Sequence, residues 1–212
     1  MLTGKKIVLG VSGGIAAYKM ANVASMLSKL HADIHVVMTE NATHFITPET
    51  FEVLTGNHCY TDTFDRCMEL HVPHIALGTQ ADAILIAPAS ADVVGKIANG
   101  IADDMLTTCV LPATCPVMLA PSMNVHMYEN PIVQDNMKKL ASYGYEIIEA
   151  DEGYLACRDI GKGKLPPEHV LVDYIIRACA MDKDLAGKKV LVTAGATQDT
   201  FSGIGKRNGY IV

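Results

Sequence analysis

Two hydrophobic periods alternate along the chain. Residues 5–11, KKIVLGV, carry an unbroken run of branched apolar side chains that stops at Ser12, Gly13 and Gly14; beyond it Met20, Val23, Ala24, Leu27 and Leu30 recur at intervals of three and four. A short apolar run bounded by glycine reads as a strand buried on both faces, and the three-four spacing reads as an amphipathic helix. The succession repeats: ADIHVVMT (32–39) precedes ENATHF, ADAILIAPAS (81–90) precedes ADVVGKIANG, PVMLAPS (116–122) precedes PIVQDNMKKLASYG, and YEIIEA (145–150) follows. Buried strands separated by helices predict an α/β fold, with a parallel sheet between two helical layers.

This is the three-layer arrangement of flavodoxin-like and Rossmann-like domains, and half of the residues are hydrophobic, enough for one sizeable core. From Gly153 the texture changes. GYLACRDIGKGKLPP mixes glycines, charges and two prolines and reads as a long surface loop, a kind of segment that is usually functional. A last helix is expected over PPEHVLVDYIIRACAMD, with proline in its first turn. The polar joint DKDLAGKK then leads into KKVLVTAGAT (188–197), a further strand and glycine turn without a successor. The expected organisation is one domain over 1–185 and the truncated start of a second over 186–212.

In open parallel sheets ligands collect beyond the carboxyl ends of the strands. Those positions here are SGG, Thr39, PAS and SMN, small or polar every time. Ser12, Gly13 and Gly14 at a helix start suit a phosphate, although the segment is neither GxGxxG nor GxxxxGK[ST], and a tight structural turn is an equal alternative. Ser90 opens a second helix in the same way, and two such turns on one edge favour a mononucleotide. Asn124 ends an apolar run, where an unpartnered carboxamide costs about 1–3 kcal/mol. It finds its partner either locally, as a helix cap, or in a ligand.

Charge and cysteine usage narrow the classes. A net charge of −6 without a basic stripe excludes a nucleic-acid reader, and no apolar run has the length of a membrane span. The start MLTGKKIVLGVSGG shows no cleavage pattern, and six cysteines without a CxxC pair suit a reducing compartment; the cytoplasm is the expected location. His71 and His74 lie three apart with no further ligands at metal spacing, so no metal is expected. His74 stands just ahead of a strand that ends on the ligand edge, where an imidazole can act as general acid or base. Cys157, in the glycine-rich segment, is a poor packing residue and either a chance-exposed thiol or one that supplies a proton or a nucleophile. Eleven methionines and the high hydrophobic share suggest buried subunit interfaces.

Five segments, SGGIAAYK, PHIALGTQAD, APASADVVGKIANGIADDMLTT, the PxMNxxM pattern of APSMNVHMYENP, and ACRDIGKGK, together resemble the flavin-dependent cysteine decarboxylases over about residues 4–180. The resemblance implies FMN held by Gly13, Gly14, Ile15, Thr39, Ser90, Ala91, Asp92, Val93 and Ser122. It implies homotrimers, often assembled further into dodecamers, with active sites between subunits. The implied substrate is the small molecule 4'-phosphopantothenoylcysteine of the coenzyme A pathway. Its thiol is oxidised to a thioaldehyde, carbon dioxide leaves to give an enethiol, and the flavin returns the electrons. In that scheme His74 is the acid/base residue, Asn124 holds the substrate carboxylate with Met127 beside it, and Cys157 donates the last proton.

LAGKKVLVTAGATQDT resembles the start of a synthetase domain that FSGIGKRNGYIV does not continue, so ligation is not expected from this chain. Arg158 stands where the family commonly has Gly, and Ser122 where it commonly has Ala. A flavin prenyltransferase, a non-catalytic regulatory flavoprotein and a decarboxylase of peptide cysteines are the competing readings. The first lacks a reason for PxMNxxM, and the second for keeping both His74 and Cys157.

Overall fold

The computed structural model describes residues 1–64, 73–154, 159–179 and 187–189. The chain divides into two units, Met1–Met181 and Asp182–Val212. Of the second, only 187–189 are described, so the expected boundary at 185/186 and the strand over 188–197 lie outside the described residues apart from Lys188 and Lys189.

The first unit holds a six-stranded parallel sheet made of β1 (Lys6–Val11), β2 (Asp33–Met38), β3 (Cys59–Tyr60), β4 (Ala83–Ala89), β5 (Val117–Pro121) and β6 (Glu146–Ile147), in the order β3-β2-β1-β4-β5-β6. The helices are α1 (Lys19–Lys29), α2 (Glu40–Thr43), α3 (Pro48–Thr55), α4 (Pro73–Gln80), α5 (Ala91–Ala98), α6 (Met105–Val110), α7 (Val125–Tyr128), α8 (Pro131–Ser142) and α9 (Glu168–Cys179). A 3-10 turn, Ile15–Tyr18, leads into α1.

Strand periodicity sorts the core into two layers. Ile7, Leu9 and Val11 of β1, Ile34, Val36 and Met38 of β2, and Ala83 and Leu85 of β4 face one way, onto Met20, Val23 and Leu27 of α1, Phe51 of α3, and Leu171 and Ile175 of α9. Val8, Val37, Ile84, Ile86 and Leu119 face the other way, onto Leu77 of α4, Val93 and Val94 of α5, Leu106 of α6, and Leu140 of α8. All seven residues of β4 are buried, because both faces of this strand are covered. The strand-helix alternation read from the pattern is therefore the observed α/β architecture.

One expectation is overturned. The segment from Gly153 is not simply a surface loop: Asp151–Tyr154 (β7) pairs antiparallel with Ile160–Lys164 (β8) as a separate two-stranded sheet. Its strands, DEGY and IGKGK, carry no apolar alternation, so the strand period is invisible in hydropathy. The prolines expected inside the last helix precede it, and Pro167 offers its carbonyl to the Val170 and Leu171 N–H groups.

Removing buried volume from the central strand tests this layering. Leu85→Ala, at a fully buried site, should cost about 2–5 kcal/mol in denaturant unfolding. Val53→Ala, 86% exposed on α3, should change stability by less than about 0.5 kcal/mol.

Candidate active site

The chain runs from β1 outward to β2 on one side and crosses to β4 on the other, so the switch point of the sheet lies between β1 and β4. Ser12 ties the two turns that leave these strands. Its hydroxyl, fully buried, donates to the Pro88 carbonyl at 2.6 Å and accepts from the Ser90 N–H at 2.9 Å, while its own N–H reaches the Pro88 carbonyl at 3.3 Å. Ser90 in turn caps α5, its Oγ accepting from the Val93 N–H at 3.3 Å. Ser12, one of the three phosphate candidates of the first turn, is thus committed to the scaffold.

A cavity of about 480 Å³ opens at this switch point, within the range typical of small-molecule sites. Gly13, Gly14 and Ile15 form one wall and Pro88, Ser90 and Ala91 another; Ser122, Met123, Asn124 and Met127 close the end beyond β5, and Tyr154, Gly163, Lys164 and Leu165 come from the hairpin. Tyr18 and Lys19 complete it. Two lysines and no carboxylate line this space among the described residues, which favours an anionic ligand.

Asn124 stands at the N-terminus of α7. Its Oδ1 accepts from the His126 N–H at 2.8 Å, the local cap, and its Nδ2 donates to Asp159 Oδ2 at 2.9 Å. The strand that follows Asp159, β8, reaches this turn because it has no side chain in the way: a Cβ on Gly163, whose φ is +135°, would sit 2.3 Å from the Met123 carbonyl oxygen, and one on Gly161 would sit 2.6 Å from Val125 Cγ2.

Of the residues singled out in the sequence, Gly13, Gly14, Ile15, Ser90, Ala91, Ser122, Asn124 and Met127 line one cavity. Thr39, Asp92, Val93 and His74 do not. Thr39 is 8% exposed, its N–H bonds the Val11 carbonyl at 3.0 Å beside the first turn, and its Oγ1 is buried without a partner among the described residues. Asp92 points to Lys96 at 3.5 Å, and the Val93 side chain belongs to the core.

His74 lies in the first turn of α4, with its Nδ1 buried and unpartnered among the described residues. Cys157 and His71 lie outside the described residues. Sequence reasoning missed Tyr18, Lys19, Tyr154, Lys164 and Asp159. Lys19, Asp159 and Lys164 all sit inside the segments SGGIAAYK and ACRDIGKGK, where glycine and cysteine drew attention instead. No metal-binding cluster and no helix long and apolar enough to cross a membrane occur among the described residues.

A family model described as Flavoprotein matches residues 1–180. The chain belongs to the flavoprotein family. The coenzyme A biosynthesis bifunctional protein CoaBC of Bacillus subtilis (strain 168) is 46% identical over 203 residues, which cover 95% of this chain and 50% of the relative. The chain therefore spans about half the length of the curated relatives it matches. Among solved structures, an FMN-dependent cysteine decarboxylase, SpaF, is 34% identical with a TM-score of 0.68, covering 82% of this chain and 99% of that one. A cysteine-to-serine variant of PPC decarboxylase complexed with pantothenoylaminoethenethiol is 29% identical with a TM-score of 0.73, covering 81% and 96%. The sheet and its covering helices match the flavodoxin-like fold of these flavoproteins.

Burial distinguishes the core thiols from reactive ones. Desolvation pushes Cys59 and Cys109 up to about 12, with nearby carboxylates adding to the effect at Cys59 and Cys115 at Cys109. Alkylation at pH 8 followed by peptide mass spectrometry should leave both unmodified in the native protein and label both after unfolding.

Proposed function

We propose that the chain is an FMN-dependent decarboxylase that converts 4'-phosphopantothenoylcysteine to 4'-phosphopantetheine and carbon dioxide in coenzyme A biosynthesis, in the cytoplasm. The observation that carries the reading is the Asn124 amide at the wall of a cavity that two lysines and, among the described residues, no carboxylate line, at the switch point of a flavoprotein sheet. The bifunctional relatives supply the pathway, and the PPC decarboxylase and SpaF likenesses supply the reaction class.

The residues present fit a flavin mononucleotide. Gly13, Gly14 and Ile15 bring backbone and little side-chain bulk to the cavity, Ser90, Ala91 and Ser122 add small walls, and Tyr18, Met127 and Tyr154 offer flat or pliable apolar surface. Thr39 Oγ1, buried next to the first turn, has a hydroxyl to give to the cofactor or to a group bound with it. Asp92 and Val93 would contribute through the backbone at the start of α5, because their side chains are engaged elsewhere. FMN held by these residues would supply a reversible two-electron sink for oxidation of the substrate thiol.

The chain's own groups bind, orient and move protons. Asn124 holds the substrate carboxylate with a neutral donor, which fixes it without the ground-state stabilisation a cation would add. Lys19 and Lys164 balance the phosphate charge. His74 exchanges a proton at the substrate thiol, and Cys157 gives one to the enethiol during its final reduction.

His74 and Asn124 do not line the same cavity within one protomer. This supports a homotrimer, alone or built into a larger assembly, in which His74 of one copy serves the cavity of the next. Exposed Ile15 and Tyr18 at the cavity mouth suit such a contact. Decarboxylases of peptide cysteines need room for a chain; the phosphate-friendly lysines favour the small anionic substrate.

Incubating the FMN-loaded protein with 4'-phosphopantothenoylcysteine should release carbon dioxide and 4'-phosphopantetheine by mass spectrometry; a flavin-loaded assembly that leaves the substrate intact contradicts the assignment. Asn124→Ser retains a good helix cap but loses the amide, so kcat/KM should fall about 100-fold or more while flavin absorbance and melting temperature persist. Unfolding and reassembling a mixture of inactive His74→Ala and Asn124→Ser proteins should restore part of the activity, whereas mixtures that stay inert would place both residues in one protomer's site.

A further inference from the structure

β8 carries two lysines, and only one of them is neutralised. Lys162 forms an ion pair with Glu149 and lines a second hollow with Tyr128, Glu129 and Gln134. Lys164 lines the large cavity, and its side chain makes no ion pair or hydrogen bond among the described residues, not even with Asp151, its register partner on β7. An unpaired lysine is ordinarily a solvated surface group. Where this one stands sets it apart.

The backbone on both sides of Lys164 is anchored. The Gly163 carbonyl accepts the Met123 N–H at 3.0 Å, and the missing side chain of Gly163 lets the strand approach the Met123 carbonyl. Leu165 is 2% exposed and packs in the core layer that holds Leu171 and Ile175. The lysine stem lies over Gly153, where a Cβ would sit 3.7 Å from both Lys164 Cδ and Lys164 Nζ. The ammonium is thus held against the hairpin at the cavity wall, so less freedom is lost when an anion arrives.

Two phosphate esters need countercharges in this site, one on FMN and one on the substrate, and two lysines line the cavity. Their walls differ. Lys19 follows the first turn, residues 13–15, the wall that suits the flavin. Lys164 belongs to the wall that Gly163 joins to the turn 123–125, which brings Asn124 to the cavity. The substrate carboxylate has the neutral amide, and a cation there would stabilise the ground state that must lose carbon dioxide. The substrate phosphate, with a charge of roughly −1.5 to −2 at pH 7, gains most from an ammonium.

We propose that Lys164 is the specificity-determining residue that reads the phosphate of the substrate and distinguishes 4'-phosphopantothenoylcysteine from its dephosphorylated form. Its ammonium binds the phosphate oxygens and takes no part in oxidation or decarboxylation. Lys19 serves the cofactor side. The inference rests on the decarboxylase reading above.

The test compares turnover of 4'-phosphopantothenoylcysteine and pantothenoylcysteine by the FMN-loaded full chain. The wild type should prefer the phosphorylated substrate, and Lys164→Met should shrink that preference, as a ratio of kcat/KM values, about 10- to 100-fold, chiefly through KM. Lys164→Arg, which keeps the charge, should recover most of it. Added potassium chloride should erode the preference of the wild type and leave that of Lys164→Met nearly flat. 4'-Phosphopantetheine, which has the phosphate but no carboxylate, should bind Lys164→Met about 10-fold more weakly, while the Kd of FMN stays within about threefold.

A preference that survives in Lys164→Met, or that Lys19→Met removes instead, would overturn the role, as would a wild type indifferent to the phosphate. Weakening confined to ligands that bear the carboxylate would move Lys164 to the other end of the substrate, and a large loss of FMN affinity would move it to the cofactor; either result defeats the proposal while the function stands. Should Lys164→Met fail to fold, Lys164→Gln decides by the same ratios. FMN-loaded wild-type protein inert towards both substrates would instead overturn the functional reading and this role with it.

Discussion

The site depends on one buried hydroxyl. Two strands that meet at the switch point of a parallel sheet send their chains off in opposite directions, and nothing in the sheet ladder obliges the turns that follow to stay together. Ser12 supplies that constraint by donating to one atom of the neighbouring turn and accepting from another, Pro88 O and Ser90 N, with no exposure to water. Each bond is worth more in that dry setting than at the surface, and leaving either group unmade would cost about 1–3 kcal/mol. The glycine wall and the Ser90 helix start are therefore held in a fixed relation before any ligand arrives.

The sequence made the layered sheet legible because its strands are apolar on both faces and its helices on one, and only a covered parallel sheet asks for that pattern. The strand-end rule then located the ligand edge, and eight of the residues chosen by it or by resemblance line one cavity. The hairpin was illegible for the opposite reason. Its function as a support is carried by missing side chains at Gly161 and Gly163, and hydropathy has no symbol for close approach. Lys164 and Tyr154 entered the cavity with that hairpin and were overlooked with it.

Asn124 shows how two readings of one residue can both describe it. The local cap was the economical explanation for an amide after a strand, and the structure contains it. The cap uses the oxygen only. The nitrogen is the chemically distinctive end, and its partner comes from 35 residues downstream, a relation that no spacing rule could expose. His74 illustrates a different limit: the sequence put it near the ligand edge, and it is not among the residues that line the cavity.

The sheet's margins have a consequence for how copies of the chain can associate. β3 and β6, the outermost strands, are two residues each, so either rim exposes a very short ladder to a neighbour. Joining sheets side by side would gain few main-chain bonds, which guards against runaway strand addition. Any stable quaternary contact is thereby directed to side-chain surfaces, where shape and chemistry, rather than generic backbone pairing, select the partner.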